Sequence, residues 1–162
     1  FIAAQYQYSL IVRDIEYELP GLCASEGIGL VPWGPLGGGF LSGKYTSQQK
    51  PVKGRLASAR DEQEEAWFRR ATERNWRILE AVEQVAKRHD VSAPQVALAW
   101  LLSRNQVDSV IIGARTQQQM ESNLASVDLE LSAAEIKTLD DVSRLPELYP
   151  YRMIESYALR GE

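Results

Sequence analysis

The feature that most constrains this chain is the short apolar run Ile28 to Trp33, which ends in a turn built of glycines. Apolar segments of this length that do not alternate, set between helical segments, indicate a parallel sheet covered on its outer face. In the turn, Gly34, Gly37, Gly38 and Gly39 surround Pro35 and Leu36, and Lys44 lies beyond. Glycines carry no Cβ and let a backbone approach a ligand closely. A strand that stops in such a loop, with a cation after it, points to phosphate or nucleotide binding. The competing reading is a flexible connection.

One nearby pattern fails on chemistry. Gly38 to Tyr45 fits the nucleotide-triphosphate loop G-x-x-x-x-G-K-[ST] except at its last place, where the hydroxyl that holds Mg²⁺ is replaced by tyrosine. Polar sequence with a proline follows where that loop requires a helix.

In chain order, residues 1 to about 12 read as a strand and Glu18 to Ser25 as a short helix closed by Gly27. Cys23 on that helix reads as a small core residue. The polar stretch to about Glu62 is long for a plain connection, and Arg55 and Arg60 in it are possible anion ligands. Leu79, Val82, Val85 and Ala86 give one buried face to a long helix from about Glu64 to His89, with His89 suited to its C-terminal end. Ser92 with Gln95, Thr116 with Gln119 and Ser132 with Glu135 are capping boxes that open three further helices. The first should be deeply packed through Val96 to Leu102. The second should carry Met120 and Leu124 inward, and the third Ile136, Leu139 and Val142. Ser109 to Gly113 reads as a third buried strand. In the tail, Tyr149, Pro150, Tyr151, Met153 and Ile154 are expected to pack on a neighbouring surface, with Arg160 to Glu162 frayed.

Composition narrows the function. The 18 Lys and Arg against 22 Asp and Glu leave a net charge of −4, and no basic stripe speaks for nucleic acid. There is no apolar run of membrane-spanning length. One cysteine excludes an internal disulfide framework, and one histidine excludes a histidine cluster for metal. The expected class is a soluble, cytoplasmic, single-unit protein over residues 1–162. Without a starting methionine, and beginning inside the apolar run Phe1 to Ala4, the chain reads as cut from something longer.

Taken together, Q-Y-Q-Y-S-L at Gln5 to Leu10, the glycine stretch through Tyr45, A-L-A-W-L-L at Ala97 to Leu102 and I-I-G-A-R-T-Q-Q-Q-M-E-S-N-L at Ile111 to Leu124 resemble the aldo-keto reductases. The resemblance runs from about residue 2 to 145. It is closest to the branch of potassium-channel β subunits and bacterial general-stress reductases. It implies an α/β fold, the carboxyl-terminal half of a (β/α)8 TIM barrel, with three parallel strands and covering helices. It also implies NADP as cofactor, a small-molecule carbonyl substrate and no metal.

By the same resemblance, Gln5 matches the amide that bonds the nicotinamide carboxamide, and Trp33 the ring that stacks on the nicotinamide. Gly34, Pro35, Leu36, Gly37 and Gly38 would wrap the pyrophosphate, with Lys44 and Arg55 neutralising it. Gly34 is serine in most of the family, which removes one contact. Gly113 and Arg115 would approach the adenosine 2′-phosphate, where a guanidinium fork favours NADP over NAD. Gln119 would serve there as well as in the cap, and Asn123 would read the adenine edge. Ser122 stands where glutamate is common, which weakens a second adenine contact. The family's catalytic Asp, Tyr, Lys and His would all precede Phe1, so no catalytic residue is assigned, and the chain alone is expected to be inactive. A strand edge left open at Phe1 to Tyr8 would favour self-association or pairing with an amino-terminal half. The rival reading is a non-catalytic nucleotide-binding or assembly module formed by self-associated half-barrels.

Overall fold

The fold is that of a computed structural model, which describes residues 1–47, 49–63 and 65–158. At its centre two short strands, β1 (Ala3–Ala4) and β2 (Gly29–Leu30), pair in parallel, Ala3 opposite Gly29 and Ala4 opposite Leu30. The pairing continues past both strands. Val31 donates to Ala4 at 2.8 Å, Trp33 to Tyr6 at 2.9 Å and Tyr8 to Trp33 at 3.2 Å. After Tyr8 the chain reverses at once, Ser9 and Val12 exchanging backbone bonds, so the first extended segment is shorter than its apolar sequence predicts.

The expected third strand does not form as a regular ladder. Val107 bridges Leu30 in parallel, with Leu30 donating to Gln106 and Asp108 donating to Leu30. The next rung needs an N–H at position 32, and Pro32 has none. Beyond it Ile111, rather than Val110, donates to the Pro32 carbonyl at 2.8 Å, a slip of one residue. Nor is the segment buried, since Ile111 is 40% exposed and Ser109 and Gly113 are open. A slip of this kind exchanges the faces that successive side chains present.

Helices supply most of the core. α1 (Leu19–Glu26) closes on Gly27, whose φ of 63° suits the left-handed cap, and buries Cys23. Two single-turn helices, α2 (Arg55–Ser58) and α3 (Trp67–Arg70), precede α4 (Glu73–His89). The long helix therefore starts later than its apolar pattern suggests. Thr72 is extended and its hydroxyl accepts from the Asn75 N–H, so it is the N-cap. α4 buries Ile78, Leu79, Val82, Val85 and Ala86. α5 (Ala93–Leu102) opens on the Ser92–Gln95 capping box and buries every residue from Val96 to Leu101.

α6 (Gln117–Leu124) and α7 (Ala133–Ser143) follow, the latter opening on the Ser132–Glu135 box and burying Leu139. On α6 the expectation fails at Leu124, which is 55% exposed, while polar Asn123 is buried. The short 3₁₀ turn Ala125–Asp128 begins directly after Leu124 and redirects the chain, and the hydroxyl of buried Ser126 donates to the Asn123 carbonyl. α8 (Tyr151–Ala158) is anchored by Tyr151, which stacks on Tyr17 at 4.6 Å and donates to Glu18. Tyr149, Met153 and Ile154 remain exposed, against the expected packing of the tail. Arg160 to Glu162 lie outside the described residues. Among the described residues, no helix is long and apolar enough to cross a membrane, and no His, Cys, Asp and Glu cluster could hold a metal.

Candidate functional site

The sheet ends and the loops beyond them enclose a cavity of about 730 Å³. Its first wall is the turn after β2, where Trp33, Gly34, Pro35, Leu36 and Gly38 line it, with Lys44 beyond. Trp33 is fixed there by backbone bonds to Tyr6 and Tyr8. Gly37 belongs to the same turn but is buried away from the lining. Gly38 has φ +69°, and a Cβ on it would meet the buried Leu56 Cδ2 at 2.8 Å. Only glycine fits that place without a shift.

Ile111 to Arg115 and α6 line the same cavity. Gly113, Arg115, Gln119 and Asn123 all line the cavity. Thr116 caps α6 by accepting from the Gln119 N–H at 3.2 Å. The return bond of the expected box goes elsewhere, because Gln119 Oε1 accepts from the Arg115 N–H at 3.0 Å. The side chain thus fixes the backbone of Arg115 and keeps its Nε2 as a donor.

Arg55 lines the cavity as well, its Nε 2.5 Å from Glu65 Oε2. Arg60 is exposed and outside the lining. Gln5 is also exposed and outside it. Gln7, two residues on, is outside the lining as well, but its side chain lies against Gly34. Its Nε2 is enclosed without a hydrogen-bond partner among the described residues, 3.3 Å from where a Cβ on Gly34 would stand. Ser42, Glu65 and Pro94 also line the cavity and carried no pattern in the sequence.

The arrangement suits an elongated anion. Lys44, Arg55 and Arg115 bring three cations to one cavity that holds Glu65 as its one described carboxylate. Neither tyrosine nor histidine is among the described lining residues. Tyr8 turns into the core instead, edge-on to Trp100 at 5.6 Å, and its hydroxyl donates to Glu16 at 2.5 Å. Burial, then the Glu16 carboxylate, push that phenol far above its ordinary value, so it holds its proton. His89 stands at the end of α4, bonded to Glu135 on α7 and outside the cavity lining.

Comparison with known proteins agrees with this architecture. The chain is 33% identical over 137 residues to a probable aldo-keto reductase 1 of Glycine max, covering 85% of this chain and 38% of that protein. It is also 33% identical over 150 residues to the protein tas of Escherichia coli, covering 93% of this chain and 41% of that one. It therefore spans about two fifths of the length of these relatives. A crystal structure of a thermostable aldo-keto reductase with the inhibitor epalrestat superposes with a TM-score of 0.59 at 23% identity. That match covers 86% of this chain and 39% of the other, and it shows the likeness of fold. The model of the aldo/keto reductase family matches residues 1–144, and the chain belongs to that family.

Proposed function

We propose that this chain is the cofactor-binding part of an NADP(H)-dependent oxidoreductase that reduces aldehydes or ketones, and that its elements are the carboxyl-terminal half of a (β/α)8 barrel. The observation that carries the reading is the shared cavity. The glycine turn after Trp33 and the Arg115–Asn123 segment are far apart in sequence and line one space. Its volume lies in the range of small-molecule and cofactor sites, roughly 300–1,000 Å³.

The residues fit a dinucleotide. Backbone N–H groups of the glycine turn, with Lys44 and Arg55, suit a pyrophosphate. The exposed guanidinium of Arg115 suits a 2′-phosphate, and Gln119 fixes the backbone that carries it. Trp33 offers an aromatic face at the strand ends. A bound dihydronicotinamide supplies hydride to a carbonyl carbon. This chain's own part is to hold and orient it, and neither a tyrosine nor a histidine is among its described lining residues.

The test is a titration of the chain with NADPH and NADH, followed by tryptophan fluorescence. A saturable change is expected with NADPH and a weaker one with NADH. Arg115→Ala should cost about tenfold in NADPH affinity, the worth of a hydrogen bond to a charged group. Equal affinity for the two cofactors, unmoved by that substitution, would sink the NADP assignment. A second reading rests on the exposed edge at Phe1 and Ile2, which are open to solvent at 113% and 90%. The same side of the sheet is bounded by β1, which pairs only with β2 among the described residues, and an unpaired edge favours pairing with another chain. Sedimentation of the same samples should show self-association, and a monodisperse monomer would count against it.

A further inference from the structure

Glu65 is the residue at the cavity that the proposed function leaves unexplained. Its side chain is only 12% exposed, against 64% for its partner Arg55. Oε2 takes the Arg55 guanidinium, while Oε1 is enclosed and has no hydrogen-bond partner among the described residues. The carboxylate lies against the glycine turn, since a Cβ on Gly38 would stand 3.3 Å from Glu65 Cδ and 3.4 Å from Oε1. An anion therefore occupies the surface of the turn that the dinucleotide reading gives to phosphate.

The energetics of that contact favour exchange. A carboxylate oxygen withheld from water without a donor carries a desolvation cost. A pair with one partner largely exposed returns little to offset it. A phosphate offers Arg55 the same charge-assisted bonds and can accept backbone N–H donors besides. The backbone bonds around Glu65 are local, and its anchorage lies beyond it, in buried Ala66 and in Trp67 packed on Tyr45 and Trp76. Gln63 Oε1 accepts from Arg60 N–H, Gln63 N–H donates to Arg60 and Ala66 N–H to Gln63. Moving Glu65 breaks no strand pairing.

We propose that Glu65 is an internal competitor for the anion site, holding Arg55 and covering Gly38 until a pyrophosphate-bearing ligand displaces it. The inference rests on the dinucleotide reading for the identity of that ligand, not for the competition itself.

The experiment measures binding of inorganic pyrophosphate and of NADPH, by calorimetry, to the chain and to Glu65→Gln, Arg55→Ala and the double variant. Glu65→Gln keeps the size of the side chain and removes its charge. It should bind both ligands up to about fivefold more tightly, the upper worth of an exposed ion pair. The gain should vanish when Arg55 is also replaced. If Glu65→Gln binds pyrophosphate no better than the parent chain, Glu65 is not a competitor and the proposal is overturned. If Glu65→Gln gains for pyrophosphate but NADPH fails to displace it, the competitor stands and the dinucleotide reading falls. If neither ligand binds any of the four proteins, both fall.

Discussion

Two segments of nearly equal apolar character meet opposite fates. Val96 to Leu101 on α5 is buried throughout, with Trp100 at 0% exposure. Ser109 to Gly113, with Val110, Ile111 and Ile112 at its centre, is partly open along its length. Hydrophobicity does not separate them. The helix has several neighbours, since α4, α6 and the turns Ala125–Asp128 and Gly37–Ser42 pack against it. Trp100 adds polar neighbours at its rim. Its Nε1 donates to Asp140 at 3.1 Å, and the guanidiniums of Arg13 and Arg104 lie 5.1 and 4.5 Å from its ring centre. Among the described residues the extended segment is tied to β2's side by one backbone bond, Ile111 to Pro32, beyond a skipped rung and the Gln106 and Asp108 bonds to Leu30. An apolar run becomes core only where other elements close over it.

That contrast can be tested by truncation. Trp100→Ala should cost about 3–5 kcal/mol in urea-unfolding stability, the usual loss for a buried aromatic. A loss under about 1 kcal/mol would show that the helix is not the centre of the core. Between the two extremes lies the bond that joins α4 to α7. Glu135 pays desolvation, which raises its pKa, but bonds from His89 and from the Ser132 N–H and hydroxyl outweigh it and hold it at about 2, below the ordinary 4.5. A lowered folded-state pKa means stability that is present above about 4.5 and is lost as pH falls toward about 2. Glu135→Gln should flatten the stability profile in that window, and an unchanged acid slope would remove the bond from the account. The smallest effect is expected at the open edge. Ile111→Ala should move stability by no more than about 0.5 kcal/mol, as for exposed positions generally. A larger loss would mean that another surface covers the segment in solution.

Much of the cavity lining was readable because its parts obey local rules. Glycines with no alternative residue, a cation beyond them and a capped helix led by Arg115 can each be recognised in a few positions, and the structure gathers these onto one cavity. Gln5 and Gly37 were expected there and lie outside the lining. Period-two geometry puts Gln5 and Gln7 on one face but does not say which is nearer the turn. Gln119 was read as a box partner for Thr116, and its amide went one residue further back, to the Arg115 N–H. Both bonds satisfy an orphan N–H at the helix start, so sequence spacing alone cannot choose between them.

The sequence by itself determined the caps at Ser92 and Ser132, the stop at Gly27, the buried faces of α4 and α5 and the glycine turn, because each depends on residues within one or two turns of chain. Only the tertiary structure decided that Pro32 shifts the register of its neighbour, that Asn123 is buried while Leu124 is not, and that Glu65 comes to rest on Gly38. Those outcomes depend on which distant surface arrives opposite each residue, and packing and desolvation act across that gap rather than along the chain.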